Sequence, residues 1–212
     1  MKTRASARRP DAIGGERKKM EPQARLSLIL ASASPRRRAL LHDHGYTFNV
    51  RVPHAVEEIA PAHLSPGETV LANARAKARA CVAEHPDEII LGVDTEVFFQ
   101  GSVLGKPADM DAAFAMLRRL NGRRHEVYSG LWIVGQGRER GFIEVSHVHF
   151  HRRTEAELKR YLARIHPLDK AGAYAAQEDR GEMIASVGGS FSNVIGLPME
   201  RLREELRAFG IS

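Results

Sequence analysis

The stretch LILASASPRRRALLHDHG, residues 28–45, sets two serines, a proline and three arginines directly behind an apolar run. With Ser34 as helix cap and Pro35 as the first helical residue, Arg36 and Arg37 fall in the first turn. Arginine opposes the helix dipole there, because that end favours anions. The same end offers outward N–H groups, and guanidinium forks match phosphate oxygens. The pattern therefore suits a phosphate socket, with Ser32 and Ser34 adding hydroxyls. Arginines gathered on a solvated helix face are the plainer alternative. The stretch lies at the C-terminal end of a strand, where open α/β sheets bind ligands, and this favours the socket.

A second candidate is EIILGVDTEVFF, where Asp94 interrupts an apolar run. A carboxylate in such a place needs a partner or a metal, since burying it bare is costly. A strand-end aspartate bonded to a local turn is the alternative. GSVLGKP follows and superficially looks like a P-loop, but its glycines are one residue too close and Pro107 stands where Ser or Thr would bind Mg²⁺. Lys106 remains as a point charge for phosphate. Glu57 and Glu58 in VEEI are either metal ligands or a solvated acidic pair. His147, His149 and His151 share one face of a strand, a pattern open to zinc but better read as an exposed sheet face. In DKAGAYAAQEDRG, small residues let the backbone approach a ligand, and Asp169, Lys170, Tyr174 and Gln177 bring groups that could read a base edge.

These residues need a scaffold, and the hydrophobic pattern supplies one. LSLILAS and EIILGVDTEVFFQ read as buried strands. PRRRALLHDH reads as a helix closed by Gly45. TFNVRVP reads as a strand, and GSVLG as a hairpin turn. SPGETVLANARAKARACVAEH is a long helix with Ser65 as cap and Pro66 first. DMDAAFAMLRRLNG is an amphipathic helix ended by Asn121-Gly122. HEVYSGLWIVG and RGFIEVSHVHFHRR are strands separated by QGRE. TEAELKRYLARI carries a capping box, Thr154 with Glu157. The Gly-rich segment from Lys170 to Gly196 reads as short strand-like pieces, and LPMERLREELRAF as a final helix. Interleaved helices and strands predict an α/β fold on a mixed sheet. No linker marks a second domain.

At 212 residues, with 43% hydrophobic and 27% charged residues, the chain suits one soluble domain. No apolar run is long enough for a membrane helix, and the first 25 residues hold no secretory core. The single Cys81 excludes an internal disulfide, suits a reducing, cytoplasmic setting and reads as a core residue. Of the 32 basic residues, eight lie in residues 1–25 against three acidic ones. The net charge of +6 thus resides mostly in a segment without apolar periodicity, read as a disordered tail that could touch phosphate surfaces weakly. No specific nucleic-acid binding is expected of residues 26–212. Met20 reads as an alternative start.

Taken together, LILASASPRR, EEI, NARAKARA, GVDTEVFFQGSVLGKPAD, DKAGAYAAQ and NVIGLP occur in an order that resembles the Maf-type nucleoside triphosphate pyrophosphatases. The resemblance runs from about Leu28 to the C-terminus. It implies an elongated mixed β-sheet flanked by helices with a central cleft, similar to the inosine triphosphate pyrophosphatases, and a homodimer. It implies hydrolysis of nucleoside triphosphates to the monophosphate and pyrophosphate, with Mg²⁺ or Mn²⁺. By the same resemblance Asp94 activates water, and Ser32, Arg37, Lys77 and Lys106 hold the triphosphate. Arg36, Thr95 and Gln177 govern base preference, and Glu57 or Glu58 joins Asp94 at the metal. Arg36, Thr95 and Gln177 together match the branch acting on dTTP and UTP, with modified nucleotides as further substrates, rather than the branch that prefers 7-methyl-GTP. The chain departs from the family pattern in GVDT for GADT, in Ser129 for threonine, and in YAAQEDRG, where Ala175 replaces glycine and Glu178 adds a carboxylate. A regulatory nucleotide-binding module linked to septum formation is the alternative reading.

Overall fold

The computed structural model describes residues 27–53, 56–59, 61 and 63–211, so the basic segment 1–25 lies outside the described residues. Strand β1 (Leu28–Ala31) leads into helix α1 (Pro35–Asp43), which ends with Gly45 at φ +82°, a left-handed value that glycine adopts freely. Strand β2 (Phe48–Val50) follows, and then the long helix α2 (Pro66–Val82), whose Ser65 and Glu68 form a full capping box. Strand β3 (Ile89–Phe99) turns at Gln100-Gly101 into the short β4 (Ser102–Leu104). The sequence places a turn over GSVLG; the turn lies one step earlier, where both Gln100 and Gly101 have positive φ, and Ser102–Leu104 is the returning strand. Helix α3 (Met110–Leu120), strands β5 (Arg124–Gly135) and β6 (Arg138–Phe150), and helix α4 (Glu155–Arg164) complete the expected middle.

From Lys170 to Gly196 the expectation of several strand-like pieces fails. The segment holds short 3₁₀ turns, one strand, β7 (Ile184–Gly188), and helix α5 (Phe191–Ile195), before helix α6 (Met199–Ala208). Side chains take the backbone groups that a ladder would need. The Tyr161 hydroxyl accepts from the Ala175 N–H at 3.0 Å, and the Asp179 carboxylate accepts from the N–H groups of Met183 and Ile184 at 2.8 and 3.0 Å.

The seven strands form one mixed sheet in the order β2-β1-β3-β5-β6-β7, with β4 also on β3. β1 runs parallel to β2 and β3, whereas the pairs β3–β5, β5–β6 and β6–β7 are antiparallel. β3 is long enough to serve two partners on one edge. β1 pairs with its first half up to Ala31↔Gly92, and β4 with its last residues from Val97↔Leu104. Between them, Val93 to Glu96 have no strand on that edge among the described residues. The cleft opens at this gap.

Helix α2 covers one face of the sheet, with Ile29, Ala31, Ala78, Cys81, Ile90 and Val134 in a shared core, so Cys81 packs as the sequence suggests. On the opposite face, one cluster joins Leu28, Leu91 and Leu131 to Leu202 and Leu206 of α6, and another joins Val97, Val127 and Phe150 to Leu117 of α3 and Leu158 of α4. Among the described residues, no helix is long and apolar enough to cross a membrane.

Candidate active site

A cavity of about 450 Å³ lies over the gap in the β3 edge. It is lined by the β1–α1 turn (Ser32 to Arg37), by Glu58, Lys77, Asp94, Thr95 and Lys106, and by Asp169 to Ala171 and Tyr174 to Gln177. All sequence-predicted site residues except Glu57 thus meet in one place. Glu58 faces the cavity, while Glu57 is exposed and does not line it.

Asp94 sits on β3 facing α2 and is only 5% exposed. The Asn73 amide donates to its Oδ2 at 3.1 Å, and the Lys77 ammonium donates to Oδ1 at 2.7 Å. Lys77 also donates to Glu58 at 2.6 Å, so one ammonium joins two carboxylates. Asn73 further clamps the Ile59 backbone, accepting from its N–H at 2.8 Å and donating to its carbonyl at 3.0 Å, which fixes the loop that carries Glu58. Burial opposes ionisation of Glu58, but the Lys77 bond and the nearby charges of Lys106 and Arg37 hold it below the usual carboxylate range.

Arg37 closes the gap from the other side. Its guanidinium donates to Ser32 Oγ at 2.9 Å, to the Val93 and Gly196 carbonyls at 3.0 Å each, and to Thr95 Oγ1 at 3.0 Å. The Val93 carbonyl is one of the edge groups that no strand pairs, so Arg37 replaces a missing ladder bond. Burial pulls this guanidinium down to about 10, against the attraction of Asp94. Arg37 therefore braces Ser32 and Thr95. Lys106 is exposed and makes no hydrogen bond or ion pair among the described residues.

The start of α1, read from the sequence as a phosphate socket, differs from the other helix starts. The Ser34 side chain makes no capping bond, whereas the caps of α2, α3, α4 and α5 each accept an N–H three residues on. The first-turn N–H groups of α1 thus stay open beside the cavity. The histidine stripe has no such surroundings. His147 is exposed beside Glu126 at 3.6 Å, and among the described residues no group of three His, Cys, Asp or Glu side chains is assembled to hold a metal.

Sequence reasoning passed over Asn73, Glu96 and His125. The first two were within reach: Asn73 precedes Lys77 by one helical turn, and Glu96 follows Asp94 on the same strand face. His125 is 3% exposed, its Nε2 lies 3.1 Å from the hydroxyl of the cavity-lining Tyr174, and its Nδ1 has no partner among the described residues.

His125 and Glu96 give the fold opposing responses to pH. Burial lowers His125 from 6.5 to about 4, so the unfolded chain binds that proton first and acidification through this window removes stability, on the order of 3 kcal/mol. Burial, with the charges of Asp94 and Glu58, raises Glu96 from 4.5 to about 7, so there the folded state binds the proton first and gains stability as the pH falls. In metal-free buffer the urea midpoint of His125→Gln is therefore expected to rise between pH 7 and 5, and that of Glu96→Gln to fall. Parallel profiles for the two variants would contradict this assignment.

The chain is similar to several known proteins. The family model described as Maf-like protein matches residues 27–209. A dTTP/UTP pyrophosphatase of Carboxydothermus hydrogenoformans is 41% identical over 187 residues, covering 87% of this chain and 100% of that protein. One from Akkermansia muciniphila is 42% identical over 183 residues, covering 86% and 96%. Among solved structures, the Staphylococcus aureus Ham1 protein overlaps 58% of this chain and 71% of its own, with a TM-score of 0.40 and 14% identity. A dITP/XTP pyrophosphatase from Mycobacterium abscessus overlaps 60% and 75%, with a TM-score of 0.39 and 18% identity.

Proposed function

Because this chain belongs to the Maf-like proteins, we propose that it hydrolyses nucleoside triphosphates, dTTP and UTP foremost, to the monophosphate and pyrophosphate. The observation that carries this reading is the gap in the β3 edge, where a held carboxylate, Asp94, shares one cavity with an open helix N-terminus and with Lys106, a lysine unpaired among the described residues.

Cleavage of a phosphoanhydride needs charge neutralisation, alignment and an oriented water. In this reading the α1 N–H groups, the Ser32 hydroxyl and Lys106 take the phosphates. Asp94 accepts the proton of the attacking water, and Asn73 and Lys77 hold its carboxylate in line. Thr95, Arg36 and Gln177 line the same cavity and would meet the nucleoside end.

The donor chemistry fits Mg²⁺ or Mn²⁺. Two carboxylates, Glu58 and Asp94, already converge on one cation, the Lys77 ammonium, at 2.6 and 2.7 Å. With two such donors among the described residues, the remaining ligands would be phosphate oxygens and water, the usual manner of Mg²⁺. When bound, the ion would neutralise developing charge on the phosphates. A homodimer and a single domain over residues 26–212 go with this reading.

The test is pyrophosphate release across dTTP, UTP, CTP, GTP, ATP and 7-methyl-GTP, with Mg²⁺ or Mn²⁺ supplied. dTTP and UTP are expected to lead. Lys106→Ala should raise KM for dTTP about 10- to 100-fold, the effect of losing one hydrogen bond to a charged group. An unchanged KM would remove Lys106 from the phosphate site, and tight nucleotide binding with no turnover under any condition would favour a regulatory module.

A further inference from the structure

Among the described residues, five cations line the cavity: Arg36, Arg37, Lys77, Lys106 and Lys170. Arg37 and Lys77 are committed to the brace and to Asp94, and Lys106 is unpaired among the described residues. The other two share one carboxylate. Asp169 accepts from the Lys170 ammonium at 2.7 Å through Oδ1, and from Arg36 Nη1 at 3.3 Å through Oδ2.

These two contacts differ in kind. The Lys170 side chain is 7% exposed and also donates to the His166 carbonyl at 2.7 Å, so it anchors Asp169 firmly. Lys170 and Asp169 come from the turn Pro167–Asp169 and the segment after it, packed near α3. Arg36 comes from α1, on the other side of the gap. Its single bond to Asp169 spans the cavity mouth, and the Asp169 side chain is 54% exposed. An ion pair of that kind contributes about 0–1 kcal/mol, so it directs a side chain more than it stabilises the fold. Burial opposes ionisation of Asp169, but Lys170 and Arg36 hold it below the usual range, so at neutral pH it is a fixed negative charge on the rim.

Building on the pyrophosphatase reading, we propose that Asp169 is a positioning residue that ties Arg36 to the cavity rim, so that Arg36 meets the nucleoside and not the phosphates. Without this counter-ion, the flexible guanidinium is drawn to the strongest anion in reach, the substrate's triphosphate. The cavity then grips any polyphosphate more tightly and distinguishes bases less well. Asp169 thus trades gross affinity for selectivity.

The test compares wild type, Asp169→Asn, Arg36→Ala and the double variant. Two readouts are used: the ratio of kcat/KM for dTTP over CTP and GTP, and calorimetric binding of inorganic tripolyphosphate, which has no base. Asp169→Asn is expected to lower the dTTP preference about tenfold and to tighten tripolyphosphate binding several-fold, with both effects absent in the Arg36→Ala background. A merely structural role would weaken tripolyphosphate and leave the base ratio unmoved. That result, or the same shifts without Arg36, would overturn the proposal. If no nucleotide is hydrolysed at all, the pyrophosphatase reading fails, and the tripolyphosphate arm still decides the role of Asp169.

Discussion

Asp94→Asn is expected to lower kcat for pyrophosphate release by about 10³-fold while leaving the protein folded, a loss within the range for removing a positioned base. The substitution keeps the shape and one acceptor oxygen. It removes the negative charge on which Lys77 and Asn73 converge. Lys77 retains Glu58 at 2.6 Å, so no ammonium is left bare and the change in stability stays small. KM should shift far less than kcat, because the phosphates are bound by other groups. Stopped-time assays of pyrophosphate with a matched thermal denaturation curve check both halves. A variant retaining more than a tenth of wild-type kcat would show that Asp94 does not handle the proton.

The largest effect on stability is expected from the glycines beneath α2. A Cβ at Gly92 would lie 2.1 Å from the Ala74 carbonyl oxygen and 2.7 Å from the Ala78 nitrogen. At Gly130 it would lie 2.3 Å from the Val70 carbonyl and 2.4 Å from the Leu71 nitrogen. In both cases the clash is with helix backbone, which has no side chain to swing aside. Gly92→Ala and Gly130→Ala should each cost about 3 kcal/mol or more, lowering the melting temperature by on the order of 10 °C. Activity should fall further than stability does. The displaced helix carries Asn73 and Lys77, and a shift of about 1 Å in such groups can cost two orders of magnitude in rate. Gly105→Ala is the control, since a Cβ there meets nothing within 4 Å, and its stability should change by less than about 0.5 kcal/mol. Equal melting curves for Gly92→Ala and Gly105→Ala would mean that α2 is not seated on the sheet by direct backbone contact.

The seating of α2 also explains which parts of the molecule could be read from sequence. Local signals were decisive where local physics decides. Ser65 with Glu68 and Thr154 with Glu157 mark helix starts by bonds within four residues, and Gly45 marks a helix end by its left-handed φ. Asp94 was visible because a charge inside an apolar strand demands a partner, but the partner was not. Asn73 and Lys77 reach it from a helix about twenty residues upstream, and only the packing of Gly92 on Ala74 brings them close. Arg37 shows the same limit. Its position near phosphate follows from the helix start, but its task of bracing Ser32, Thr95 and Gly196 depends on the break between β1 and β4 along β3. The segment from Lys170 to Gly196 misled because its alternating small and apolar residues mimic strands. Its backbone groups are taken instead by Tyr161 and Asp179, a choice made by tertiary contacts.

Central to the proposed function is the claim that the cavity at the β3 gap aligns a triphosphate for cleavage between its α- and β-phosphorus atoms. Phosphorus NMR of dTTP incubated with the protein and Mg²⁺ reads that claim directly. The predicted spectrum shows dTMP and inorganic pyrophosphate rising in equal amounts, with neither signal from the Asp94→Asn protein on the same timescale. Signals of dTDP and orthophosphate, or a dTTP spectrum unchanged by the wild-type protein, would contradict it.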